Sequence, residues 1–224
     1  MDAYYKAYDK RYRQVHEKDV LWSSFIPTLE VMDVIEKYGI DKNSKILELG
    51  CGEGRDSIYL LKQKYNVLGI DYSIEAINTC NKLSEGKFSD NFKQFDIMED
   101  KMDEKYDFIY SIAVLHMFVE DTHRKKFLDF IYEHLTDNGV AFITIMGDGE
   151  EMYSSNVEDA FVDSKCVNIN NDEEMKIAST TCRIVDWESF VKELDNSKLV
   201  LKSHWISDRI PDFNLSMCVV VGKE

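Results

Sequence analysis

Glu48, Gly50, Gly52, Gly54 and Asp71 are the residues of this chain whose types and spacing are best suited to chemistry. Glycines at alternate positions let a backbone turn sharply and come into contact with a ligand, because no Cβ intervenes. An acidic side chain about twenty residues further on, at the tip of the next strand, can accept both hydroxyls of a ribose. The elements that must position these groups are legible around them. Ile46, Leu47 and Leu49 form a short apolar run suited to a buried parallel strand. Residues 57–64 continue as a helix, and Val67, Leu68 and Ile70 make a second strand that ends at Asp71. Strand, glycine turn, helix and strand form the first half of a doubly wound α/β sheet that holds a nucleotide cofactor.

The glycine spacing narrows the cofactor. A dinucleotide fingerprint is G-x-G-x-x-G, and Arg55 stands where its third glycine would be, which disfavours a pyrophosphate cradle. The chain resembles instead the class I S-adenosylmethionine-dependent methyltransferases, whose first motif, an acidic residue, one residue and then G-x-G-x-G, is matched by Glu48, Gly50, Gly52 and Gly54. Three further stretches carry the resemblance in the same order: Asp71 with Tyr72, then Phe95-Asp96-Ile97, then Tyr106 to Ser111 running into Ile112-Ala113-Val114-Leu115-His116. It implies that Glu48, Gly50, Cys51, Gly52, Gly54 and Arg55 surround the cofactor at the first turn. Asp71, Tyr72 and Ser73 would meet its ribose and adenine, Asp96 and Ile97 the adenine edge, and Ser111, Ile112, Ala113 and His116 the loop beneath the methyl donor. GEGRDS after the first strand and YDFIYSIAVLHMF are most similar to the small-molecule branch that includes tellurite-resistance and thiopurine methyltransferase-like proteins. The resemblance therefore implies methyl transfer from S-adenosylmethionine to a small acceptor through O, N, S or a chalcogen atom, with S-adenosylhomocysteine as product.

His116, after the fourth strand, is the candidate base for an acceptor that must lose a proton, with packing beneath the cofactor as its structural alternative. Asp148, Tyr153, Arg183 and Asp208 are weaker candidates from the loops above the site. Two readings from other classes stand beside the methyltransferase: a nicotinamide-dependent oxidoreductase, and a non-catalytic module that binds S-adenosylmethionine.

Composition limits the partners. A formal charge of −15 over 224 residues disfavours nucleic acid, which needs clustered Lys and Arg to displace counterions. The best basic run, His123-Arg124-Lys125-Lys126, reads as a solvated helix face. Five widely spaced cysteines without a C-x-x-C pair suggest reduced thiols and no metal site. No apolar run reaches the roughly 20 residues that span a bilayer, and MDAYYKAYDKRYRQ lacks the apolar core of a signal peptide. A cytoplasmic monomer or homodimer is expected.

The remaining elements complete a Rossmann-like, doubly wound seven-stranded sheet in one domain, residues 1–224. Tyr4, Tyr5, Tyr8, Tyr12 and Val15 recur at helical spacing, and a second helix is expected over residues 27–38, so residues 1–40 form a helical cap. Tyr12 and Trp22 are its expected aromatic walls for the cofactor. Ser73 caps a helix through Leu83, residues 92–95 form the third strand, and residues 122–135 form a helix. A turn at residues 136–139 precedes the fifth strand, residues 140–146. Asp186 caps a helix through Leu194, and residues 199–206 and 216–221 make a terminal hairpin with an antiparallel last strand. The acidic insert at residues 147–184, with one strand over 175–183, is expected to cover the substrate.

Overall fold

The computed structural model describes residues 3–224. A 3-10 turn (Tyr4–Lys6) opens into helix α1 (Ala7–His16), followed by α2 (Leu29–Lys37), β1 (Lys45–Leu49), α3 (Arg55–Lys62), β2 (Asn66–Asp71), α4 (Ile74–Leu83) and β3 (Phe92–Gln94). Then come β4 (Tyr106–Ile112), α5 (Asp121–His134) and β5 (Leu135–Met146), with the short strands β6 (Tyr153–Ser154), β7 (Asp163–Val167), β8 (Glu174–Ala178) and β9 (Arg183–Ile184). Helix α6 (Trp187–Asp195), β10 (Val200–Ser207) and β11 (Ser216–Gly222) close the chain.

The main sheet has seven strands in the order β10-β11-β5-β4-β1-β2-β3. Strands β1 to β5 are parallel, and β11 lies antiparallel between β5 and β10. Alternating side chains divide the core between the two faces. Leu47, Leu49, Ile109 and Ile143 pack with Phe127 and Ile131 of α5 and Phe190 of α6. Ile46, Phe108, Tyr110 and Phe142 pack with Val34 of α2, Ile58 of α3 and Ile77 of α4. The reversal of strand order beside β1 opens a crevice at the carboxyl ends of β1, β2 and β4, where ligands of such sheets bind.

Local signals place several boundaries differently from the sequence reading. The second helix starts at Leu29, two residues after Pro27, because the Thr28 N–H and hydroxyl donate to Asp56 at 2.7 and 2.9 Å and hold that segment extended. The helix after the glycine turn occupies Arg55–Lys62, earlier than residues 57–64, and Lys64 with a φ of 67° lies beyond its end. Residues 136–139 are an irregularity inside β5: Leu135 pairs with Tyr106 before the register shifts and Val140 pairs with Phe108. No separate turn is needed, because α5 runs directly into the strand.

The insert differs most. In place of one strand over 175–183 it holds a hairpin of β7 and β8 and a small ladder of β6 and β9. Helix α1 ties this insert down. Lys10 pairs with Asp163 at 2.7 Å, Gln14 accepts from the Ala178 N–H at 2.7 Å, and the Tyr8 hydroxyl donates to the Thr181 carbonyl at 2.8 Å.

Candidate active site

The first turn is built as its glycines allow. Gly50, Gly52 and Gly54 have φ of 68°, 53° and 84°, left-handed backbone that side chains rarely adopt. A Cβ at Gly52 would stand 2.8 Å from the Tyr12 hydroxyl of α1, so the loop and the N-terminal helix approach each other across the space a ligand would enter. Behind the turn, Glu48 is buried and accepts from Ser57 Oγ and, at 3.0 Å, from the Tyr110 hydroxyl. Burial and the neighbouring Asp56 raise its carboxyl above the ordinary carboxylate range.

Asp71 ends β2 and accepts the Gly52 N–H at 2.9 Å on one oxygen and the Ser73 N–H at 2.8 Å on the other. Desolvation outweighs these two bonds and pushes its pKa up to about 6. Asp96, beyond β3, accepts from the Tyr5 hydroxyl at 3.2 Å and the Met98 N–H at 2.9 Å, and faces Lys6 at 3.5 Å. Past β4, Ala113 takes a φ of 55° while its N–H donates to Thr144 Oγ1 at 2.9 Å. Left-handed backbone at a non-glycine residue is held only where the surroundings over-determine it, commonly at ligand sites.

These groups enclose a cavity of about 410 Å³. Glu48, Gly50, Cys51, Gly52, Arg55, Asp71, Tyr72, Asp96, Ile97, Ile112, Ala113, Tyr12 and Trp22 line it. Four expected residues stand outside the lining. Gly54 backs onto Cys80 and Ile58; Ser73 caps α4 and donates to Asp9 at 2.7 Å; Ser111 is buried below the floor, donating to the Leu49 carbonyl at 3.1 Å. His116 lies in a second, adjoining cavity of about 420 Å³. Arg55 lines the first cavity, but its guanidinium is engaged with Asp56 and Asp212, each at 3.2 Å, and with Thr28 at 3.0 Å.

Of the loop candidates, Tyr153 lines the second cavity. Asp148 accepts the N–H groups of Glu150 and Glu151, bonds that keep its pKa below the usual value. Arg183 is committed to the Val119 carbonyl and Asp121, and Asp208 is exposed on the surface. Arg124, read as solvated, is buried: it forms a bidentate pair with Glu193 and donates to the carbonyls of Leu115 and Phe118, organising the turn that carries His116.

The most consequential residue that sequence reading passed over is Glu53, between the second and third glycines. Its buried carboxylate accepts from His16 Nε2 at 2.7 Å, the Trp22 N–H at 2.8 Å, and the N–H and hydroxyl of Ser23 at 3.0 and 2.9 Å. Asp212 and Phe213, from the loop between β10 and β11, complete the lining. Neither carries a local signal. Among the described residues no group of three or more His, Cys, Asp or Glu is arranged to hold a metal ion, and no helix is long and apolar enough to cross a membrane.

Known proteins place this arrangement. The structure superposes on a 1,6-didemethyltoxoflavin-N1-methyltransferase from Burkholderia thailandensis with a TM-score of 0.70 at 14% identity, over 100% of this chain and 91% of that one. It also superposes on an S-adenosylmethionine-dependent methyltransferase from Clostridium acetobutylicum with a TM-score of 0.64 at 16% identity, over 98% of both chains. At such identities the shared property is the fold, that of the class I methyltransferases. In sequence, 112 residues are 31% identical to a probable S-adenosyl-L-methionine-dependent methyltransferase TehB of Haemophilus influenzae, covering 50% of this chain and 39% of the relative's length. The model of the family "Tellurite resistance protein TehB" matches residues 14–179, from α1 through the glycine turn, Asp71 and Asp96 to the insert. The chain belongs to the TehB family.

Proposed function

We propose that this protein transfers a methyl group from S-adenosylmethionine to a small-molecule acceptor and that residues 1–224 act as one domain. The observation that carries this reading is the acidity of the first cavity. Besides the buried Glu48, whose carboxyl is raised above the ordinary range, five acidic side chains line it, Glu53, Asp56, Asp71, Asp96 and Asp212, against one guanidinium, Arg55, already paired with two of them. Such a lining suits a donor bearing a sulfonium and an ammonium and repels the pyrophosphate of a nicotinamide dinucleotide. The Haemophilus relative is described as a probable S-adenosyl-L-methionine-dependent methyltransferase, and the Burkholderia neighbour is described with bound S-adenosylhomocysteine.

The residues present fit the cofactor. Gly52 leaves room that a Cβ would fill, and Asp71 keeps lone pairs for ribose hydroxyls after its two backbone bonds. Tyr72, Asp96 and Ile97 would hold the adenine, and Ile112 and Ala113 the floor below the methionine portion. When bound, S-adenosylmethionine supplies a methyl group already activated by its positive leaving group. The protein's part is to orient the acceptor and exclude water. Tyr5, Tyr8, Tyr12 and Trp22 cover the cavity from the N-terminal segment, and Val167 and Ile169 reach it from the insert. We place both segments in a cover that tightens when ligands bind. His116 can then accept a hydrogen bond from the acceptor: burial and Arg124 lower its pKa to about 4, which leaves it neutral near pH 7 and a weak base.

We assign the enzyme to the cytoplasm, a reducing compartment that suits its five free cysteines. Calorimetric titration with S-adenosylhomocysteine, NAD and NADP tests the cofactor, and release of S-adenosylhomocysteine tests turnover. Binding of a nicotinamide dinucleotide without S-adenosylhomocysteine binding would refute the proposal. Cofactor binding without turnover over a broad acceptor panel would leave a binding module.

A further inference from the structure

The two cavities meet at a junction. Six residues line both: Tyr8, Trp22, Ala113, Met117, Met146 and Phe213. These shared side chains, three of them rings and two thioethers, stand where the two cavities adjoin. The Tyr8 hydroxyl, a polar group among the rings, is engaged with the Thr181 carbonyl. A slot walled by ring faces and edges favours a flat, apolar ligand body, and offset or edge-on ring contacts add to the area it buries.

Two groups of the second cavity are incompletely matched. Arg11 donates through Nε to the Ala178 carbonyl at 2.9 Å and through Nη2 to the Ser179 carbonyl, but it pairs with no carboxylate among the described residues. Beyond those two carbonyls, it lies over the rings of Trp22 and Tyr8, with centroids 4.7 and 5.7 Å away. Its Nη1 makes no hydrogen bond among the described residues, so a part-buried cation on the cavity wall retains a donor that an anion could use. The second is His116, 5% exposed, whose Nδ1 is buried without a hydrogen-bond partner among the described residues. Phe213 stands edge-on to its ring at 6.0 Å. A buried orphan nitrogen on a cavity wall is costly unless a ligand supplies the missing bond.

We propose that the second cavity is the acceptor site and that it takes a planar aromatic acid: the ring lies among Tyr8, Trp22 and Phe213, the acidic group faces Arg11, and a hydroxyl or ring N–H bonds His116. This rests on the methyltransferase reading and goes beyond it in naming the acceptor class. The cavity's volume of about 420 Å³ suits a one- or two-ring molecule. An inorganic oxyanion would leave most of that space empty and gain nothing from the aromatic junction. An aliphatic amine would meet Arg11 as a like charge and would leave the aromatic junction unused, although it could approach Asp159 on the same wall.

Isothermal titration of the full chain separates the two proposals. S-adenosylhomocysteine is titrated first; the saturated protein then receives 3,4-dihydroxybenzoate, catechol, cyclohexanecarboxylate or sodium selenite. Dihydroxybenzoate is expected to bind about tenfold or more tightly than catechol, which lacks the acid, since a bond to a charged group is worth at least that factor. It should also exceed cyclohexanecarboxylate, which lacks the ring and hydroxyls. Arg11→Gln should bring dihydroxybenzoate to the level of catechol while S-adenosylhomocysteine still binds, because Arg11 itself lies outside the first cavity. Arg11 also bonds two backbone carbonyls, so if that variant does not fold the comparison in the parent protein decides. Equal binding of dihydroxybenzoate and catechol, equal binding of cyclohexanecarboxylate, or tighter binding of selenite overturns the inference alone. A silent first titration overturns the cofactor reading and this inference with it.

Discussion

Glu53 Oε1 lies 2.7 Å from His16 Nε2, so one buried carboxylate joins the glycine turn to the end of the N-terminal helix. The same carboxylate accepts the Trp22 and Ser23 N–H groups. The covering segment is also bonded to the loops after β2 and β3, through Asp9 to Ser73 and Tyr5 to Asp96. The loops proposed to hold the cofactor are thus bonded directly to residues 4–23.

Glu53→Ala should destabilise the fold by about 2–4 kcal/mol, because it strands two backbone donors and a histidine in a buried place. Hydrogen exchange should accelerate in residues 4–23 before the rest of the chain. An unfolding midpoint equal to the parent's in urea would show that the segment holds by packing alone.

Asp71→Ala should weaken S-adenosylhomocysteine binding by about 1.5–3 kcal/mol, the range for a lost hydrogen bond to a charged group. A pH dependence accompanies it. Desolvation raises the folded pKa to about 6, so the ionised acceptor exists above that pH and affinity should fall as pH drops through it. Stability carries the opposite sign: a raised folded pKa favours the protonated fold, and this contribution is lost as pH rises from the ordinary carboxylate range through about 6. Affinity measured from about pH 5 to 8 should show the inflection in the parent and lose it in Asp71→Asn.

Gly50 and Gly52 should respond differently to substitution. A Cβ at Gly50 would lie 2.5 Å from Val114 Cγ2, against a packed wall, so Gly50→Ala should lower the unfolding midpoint. At Gly52 the close neighbour is the Tyr12 hydroxyl across the cavity, so Gly52→Val should abolish cofactor binding with a smaller loss of stability. Parallel calorimetry and denaturation on both variants distinguish the roles; tight binding by Gly52→Val would displace the cofactor from this turn.

Arg124→Met should cost about 2–4 kcal/mol, since it leaves Glu193 with only the longer Arg183 contact at 3.5 Å and removes a buried guanidinium's charged hydrogen bonds. The turn at residues 115–118 also loses two carbonyl partners. Urea denaturation measures the loss, and a near-neutral result would place the hold on His116 elsewhere.

Chemistry carried by neighbours along the chain is legible in the residues themselves. The glycine turn, Asp71 at the tip of β2 and the helix caps at Ser73 and Asp186 are local: their function follows from backbone sterics and from side chains that reach a few residues ahead. The apolar runs likewise announce a parallel sheet buried on both faces. What depends on distant partners is not legible in this way. Glu53 reads as an ordinary turn residue until His16 and Trp22, some thirty positions earlier, close onto it. Arg124 reads as solvated until Glu193 arrives from α6. In the insert, residues 163–167 and 174–178 are too short and polar to announce a hairpin, and they pair where α1 offers Lys10, Gln14 and Tyr8 as partners. Local sterics are written in spacing along the chain, whereas burial and the choice of hydrogen-bond partner are set by which segments the fold brings together.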